Sequence, residues 1–212
     1  MFRSLRSPKK HRLLLALGIL QGDIVKPEEF INKRSQEVLA FRKALTKETD
    51  RGCALFATSY LDKALSDLLY CALAHDKKIK NDLFEGNAPL ASFSSRIKLA
   101  FYLGKISKIE RRDLDLLRKI RNEFAHNADA IDFEVEKIKS QCGELSFSYH
   151  EKDHRPRGHF TAACLGILAN IHNETLLCQA PEIKADNAPS EERKKKARDD
   201  AQRKYEEAKK NA

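Results

Sequence analysis

The 212-residue sequence has little glycine or proline, eight and six residues, which excludes collagen-like and low-complexity classes. It has no long hydrophobic run. Leu13 to Leu20 is the longest, interrupted by Gly18, and falls far short of the ~20 residues of a membrane helix. Its five cysteines (Cys53, Cys71, Cys142, Cys164, Cys178) are odd in number, with no CxxC pair and no tight cluster. That excludes a disulfide scaffold and leads to the expectation of buried, reduced thiols in a cytoplasmic protein. Phosphate loops of the P-loop and Rossmann types, nucleophile elbows, zinc ribbons and internal repeats are missing too, so no cofactor and no metal is expected.

What is present is charge and helical periodicity. Forty basic and 31 acidic residues leave a net charge of +9. The excess is local: residues 1–27 carry +5, residues 28–180 only +2 (24 basic, 22 acidic), and residues 181–212 a further +2. The chain therefore reads as a basic N-terminal arm (1–27), a nearly neutral helical domain (28–180) and a charged tail (181–212). The arm, basic to Arg12 and apolar from Leu13 to Leu20, has the outline of a secretory signal but lacks a small-x-small cleavage site. It is expected to dock one apolar turn on the body and leave its charges in solvent.

The domain is expected to be all-α, a compact multi-helix bundle. Pro27 to Lys47 has a first-turn proline, early acids and an apolar stripe. Asp50 to Ala74 carries the widest apolar stripe, from Cys53 through Leu73, and should be the central helix, capped by Thr49 or Asp50. Gly86-Asn87-Ala88-Pro89 is a loop, and Phe93 to Leu103 a short helix closed by Gly104. Ser107 and Glu110 form a capping box for a helix ending near Ala125. Ile131 to Cys142 and Phe160 to Cys178 complete the bundle. Between them Leu145, Phe147 and Tyr149 alternate with polar residues, the pattern of one short strand or extended piece, and His150 to Gly158 is a polar loop. Ser190 to Ala212 is a tail or solvated helix, supported by Glu191–Lys195 and Asp200–Lys204 pairs.

One constellation can carry chemistry. On the helix that follows Ser107, Leu114, Leu117, Phe124 and Ala125 share a face, and Arg121 falls among them. A guanidinium there needs a partner. It either pairs with an acid of the central helix, such as Asp62 or Asp67, or lines a cleft with Asn122 and His126. In the cleft Arg121 would clamp an RNA phosphate, His126 would move a proton and Asn122 would orient one of them, without a metal.

The Arg121-Asn122-x-x-x-His126 motif resembles the Arg-x4–6-His signature of the HEPN superfamily, helical domains that are often dimeric and in part metal-independent endoribonucleases. A longer pattern is similar to the mannitol operon repressor family. It comprises Ala88-Pro89-Leu90, Ser94-Ser95-Arg96-Ile97-Lys98-Leu99, Tyr102-Leu103-Gly104-Lys105-Ile106, Asp115 to Asn122 and His126, within about Arg51 to Cys178. The resemblance implies an all-helical regulator acting through protein partners, since the family has no recognised DNA-reading motif. It also makes Arg96 and Arg118 candidates for a binding site or for ion pairs that support the Arg121 helix.

Three functions follow, ranked in this order: a regulatory protein of the mannitol-repressor type with a protein partner and a homodimeric state; a HEPN-type endoribonuclease using Arg121, Asn122 and His126; and a nucleic-acid-binding adaptor using the basic arm. The resemblance leans away from an enzyme. His150, His154 and His159, with Glu151 and Asp153, match no zinc-ligand spacing, and His172 lies on an apolar helix face as a core histidine would. The run Lys194 to Lys196 is blunted by flanking acids.

Overall fold

The computed structural model describes residues 27–74, 76–151 and 154–210. The arm and its expected docked turn lie outside the described residues. Eight helices and no strand are present among the described residues, as an all-α reading requires. They are α1 (Pro27–Lys47), α2 (Asp50–Ala72), α3 (Lys77–Phe84), α4 (Phe93–Tyr102), α5 (Lys108–His126), α6 (Glu136–Gly143), α7 (Pro156–Leu177) and α8 (Glu191–Lys210). No described helix is long and apolar enough to cross a membrane. The chain divides into two compact units, Met1–Pro181 and Glu182–Ala212.

In the first unit, α2 is central. Its buried residues run from Cys53 to Leu69 along one broad face, and α1, α4, α5 and α7 pack against it. Thr49 caps it, the side chain accepting from Gly52 N–H at 3.1 Å. Phe41 and Leu45 bring the apolar stripe of α1 to the core. Phe124, Phe133 and Phe160 join α5, the segment before α6, and α7, with ring centroids 4.9 and 5.2 Å apart. Gly104 takes φ +68° after α4, the left-handed position expected of it. The Ser107–Glu110 capping box is formed in both directions.

Charged groups hold the far end of the unit. Arg157 in the first turn of α7 pairs with Asp50 Oδ1 at 2.6 Å and donates to the carbonyls of Leu45 (2.8 Å) and Glu48 (2.6 Å). Its guanidinium thus ties the end of α1 and the start of α2 to α7, using carbonyls that α1 cannot satisfy internally. Arg51 does the same for the end of α5, donating to the carbonyls of Asn127 and Asp129.

Several expectations are corrected. Residues 145–149 form a turn rather than a strand. Leu145 is buried, Phe147 packs on the core and Tyr149 is exposed. The reason is tertiary: Phe147 N–H donates to Asp113 Oδ2 at 2.8 Å, so a carboxylate of α5 takes the bond that a partner strand would have taken. The last core helix begins at Pro156, not Phe160, because proline suits a first helical turn as well as a loop. The helix after Ile131 starts only at Glu136; Asp132 and Asp50 hold the preceding turn by accepting from the N–H groups of Glu134 and Phe133. α3, capped by Asp76, was not expected. In the second unit α8 buries nothing, and its charge pairs are Glu191–Lys194 and Asp200–Arg203, three residues apart rather than four.

Candidate functional site

The site is built on α5. The buried face of this helix runs through Asp113, Leu114, Leu117, Ile120 and Phe124, with Leu116 and Glu110 beside it. Arg121 sits on the flank of that face, half-buried, and Ala125 is exposed. The buried face is thus turned away from Ala125 toward Asp113 and Ile120, centred on Leu117 and Phe124, which leaves Arg121 near its edge. Glu110 is fixed twice, in the capping box and as acceptor from Asn170 Nδ2 of α7 at 3.0 Å, which sets the rotation of the helix.

Arg121 therefore faces a cavity of about 370 Å³ between α2, α5 and the start of α4. α5 supplies Arg118, Arg121 and Asn122. Thr58, Ser59 and Asp62 come from α2. Ala91, Ser92, Phe93 and Ser94 close it at the first turn of α4. The expected pairing of Arg121 with Asp62 or Asp67 is overturned. Asp62 is taken by Arg96, 2.6 Å away, and Asp67 by Lys63 on its own helix. Arg121 Nη1 instead donates to the neutral amide oxygen of Asn122 at 3.1 Å. Arg118 lies 3.6 Å from Asp115, beyond hydrogen-bond length, and its buried Nε has no hydrogen-bond partner.

Of the sequence candidates, Arg118, Arg121 and Asn122 share this cavity. Arg96 stands behind it, holding Asp62 and joining α4 to α2 rather than to the Arg121 helix. His126, at the end of α5, is exposed and does not line the cavity. Thr58, Ser59, Ser92 and Ser94 were missed as lining residues. Thr58 and Ser59 stand out in an apolar helix, and both hydroxyls donate back to carbonyls of their own helix, at 2.8 Å.

The imidazoles of His150, His154 and His159 do cluster. The first two stack at 3.8 Å, and His159 meets both edge-on at 6.0 Å. Rings stacked in this way do not converge on one point, and no group of three ligands suited to a metal ion occurs among the described residues. His159 is buried, its Nδ1 2.7 Å from Ser148 Oγ. His172 is half-buried. Burial pushes the thiols of Cys53 and Cys71 up to about 11 and that of Cys142 to about 12, and raises that of Cys164 as well. At neutral pH these are protonated core residues and poor nucleophiles.

The family model described as mannitol repressor matches residues 45–159, more than half of the chain. The chain belongs to the mannitol repressor family. Within that match lie α2 to α6, the first turn of α7 and every residue of the cavity. The mannitol operon repressors of two Escherichia coli strains, K12 and O6:H1, are each 30% identical over 102 residues, 46% of this chain and 52% of the relative. The chain thus spans about half the length of the curated mannitol repressors that it matches. A solved structure, the X-ray structure of the MtlR–HPr complex from Escherichia coli, is 22% identical. It covers 62% of this chain and 98% of that chain, with a TM-score of 0.52. That likeness shows that this mannitol repressor homologue shares the fold.

Proposed function

We propose that this chain is a cytoplasmic regulator that takes part in transcriptional repression through protein partners rather than by reading bases directly. Membership of the mannitol repressor family over residues 45–159 carries the proposal. The near-neutral body, 24 basic against 22 acidic residues from 28 to 180, supports it, since binding along a duplex needs a concentrated basic surface. The structural neighbour is a complex with HPr, which makes HPr the first partner to test. Titration of the full chain with HPr, followed by calorimetry, is expected to give saturable binding. Reporter repression by this chain should then weaken when the complex is blocked. Repression that persists without any protein partner, in a purified transcription system, would overturn the reading.

A second reading has one observation in its favour: Arg121 and Asn122 share a cavity, and among the described residues no carboxylate neutralises Arg121 at contact distance. In that reading the chain is a HEPN-type endoribonuclease, with His126 of two copies brought together in a homodimer. It requires RNA cleavage in EDTA that is lost in both Arg121→Ala and His126→Ala. It also requires a dimer in solution; a monomer by sedimentation sinks it.

A further inference from the structure

The cavity between α2, α4 and α5 holds more positive charge than its protein partners use. Asp62 is neutralised by Arg96 at 2.6 Å. Arg118 is matched only loosely by Asp115, at 3.6 Å, and its buried Nε has no acceptor among the described residues. Arg121 is held by a neutral amide. One guanidinium is therefore uncompensated and a second is under-compensated, both partly buried on the wall of one half-open cavity. A desolvated cation without an anion is costly, so the arrangement calls for an anionic guest.

The remaining donors sort the guest further. Because Asn122 Oδ1 accepts from Arg121, its amide N–H groups are left to donate into the cavity. The Ser94 hydroxyl lines the same wall. Thr58 and Ser59 have already given their protons to Ala54 and Leu55 and present lone pairs only. Guanidiniums, an amide and a hydroxyl suit an anion with several terminal oxygens, because planar guanidinium forks match phosphate geometry. Phe93 and Ala91 offer an apolar wall for a small carbon skeleton. A volume of about 370 Å³ lies at the lower end of small-molecule sites. A phosphodiester would have to leave the cavity on both sides of its phosphate, whereas a monoester leaves on one.

We propose that this cavity binds a small phosphomonoester, with Arg118 and Arg121 on its phosphate oxygens and Ser94 and Asn122 completing the set. The proposal goes beyond the regulatory reading and does not rest on it: HPr binding and phosphomonoester binding are separate measurements, and either can fail alone.

The test is calorimetric titration of the full chain at fixed ionic strength. The probes are glycerol 3-phosphate, inorganic phosphate, glycerol and a short oligoribonucleotide without a terminal phosphate. Saturable binding of glycerol 3-phosphate at one site per chain is expected, and none of glycerol. Arg121→Gln and Arg118→Gln should each weaken it about tenfold or more, as loss of a charged hydrogen bond does. Ser94→Ala serves as a milder third variant should either arginine variant fail to fold, and is expected to weaken binding several-fold. Three results would overturn the proposal: no saturable binding of glycerol 3-phosphate or phosphate up to about 10 mM, a range that marks very weak association; binding unchanged in the folded variants; or tighter binding of the oligoribonucleotide than of the monoester.

Discussion

Two arginine clusters occupy the helical unit and are used in opposite ways. At the junction of α1, α2 and α7, Arg157 meets a carboxylate and two carbonyls within 2.8 Å, and Arg51 meets two carbonyls within 2.9 Å. At the cavity, Arg118 and Arg121 have one carboxylate at 3.6 Å and one amide between them. The first cluster closes helix ends that would otherwise be unsatisfied, so its energy goes into folding. The second leaves donors open, so its energy is available for a ligand. Side-chain identity is the same in both; the difference lies in what the neighbouring backbone has left unpaired.

The largest effect that bears on this contrast is expected at the closed cluster. Arg157→Ala leaves Asp50 with only the N–H of Phe133, unpairs two carbonyls, and should cost about 2–3 kcal/mol, after discounting for partial exposure of the pair. In urea denaturation that would appear as a lower midpoint with an unchanged slope. A loss below about 0.5 kcal/mol, the range of ordinary surface changes, would erase the difference between the two clusters.

Next is the ion pair behind the cavity wall. Asp62→Asn removes the partner of Arg96, which is only 13% exposed, and should cost about 1–2 kcal/mol in thermal unfolding. If Asp62→Asn is neutral, Arg96 has another acceptor and the charge balance of the cavity changes.

Smaller still is a pH effect at Asp113, whose fully buried carboxyl is held above its ordinary value by desolvation. N–H groups of Phe147 and Ser146, and the charge of Arg112, oppose that rise. A raised folded value means that the folded state holds the proton more tightly. The associated stability is complete below the unfolded value near 4 and is lost as pH climbs through the folded value. Asp113→Asn keeps an acceptor for Phe147 without the charge. Its stability relative to the parent should therefore improve as pH rises from about 4 to 7. A relative stability that declines over that window contradicts burial as the dominant cause.

The smallest effect is expected at the open cluster. Arg121→Gln should change stability by no more than about 0.5 kcal/mol, because it breaks no charged pair. A loss as large as that of Arg157→Ala would make Arg121 a structural residue.

Much of this arrangement was legible in the sequence because it is local. The Ser107–Glu110 box, Thr49 before α2 and Gly104 after α4 are each set by neighbours three or four residues away, and each was found where its pattern stood. α1 ran from Pro27 to Lys47 as read, since a proline and two acids mark its start. The failures at the cavity and at residues 145–149 are tertiary. Helical spacing put Arg121 on the right side of α5 but could not tell that Arg96, thirty-four residues from Asp62, would claim that carboxylate first. The alternation of Leu145, Phe147 and Tyr149 is a strand pattern, but no strand can form without a partner, and Asp113 supplied a different acceptor. α3 has only eight residues, too few turns for its periodicity to rise above the background. Of the cavity, the residues on α5 and Asp62 of α2 were foreseen, whereas Thr58, Ser59 and the α4 turn arrived only through packing.

α8 has a consequence of another kind. Twenty residues at 1.5 Å each make a rod about 30 Å long, with no apolar face and with acids placed before bases at Glu191–Lys194 and Asp200–Arg203. An isolated helix of that length is held by weak, salt-screened pairs and sits near its own melting transition. Its span is then adjustable: low salt and low temperature lengthen the stretch that behaves as a stiff spacer, and high salt shortens it.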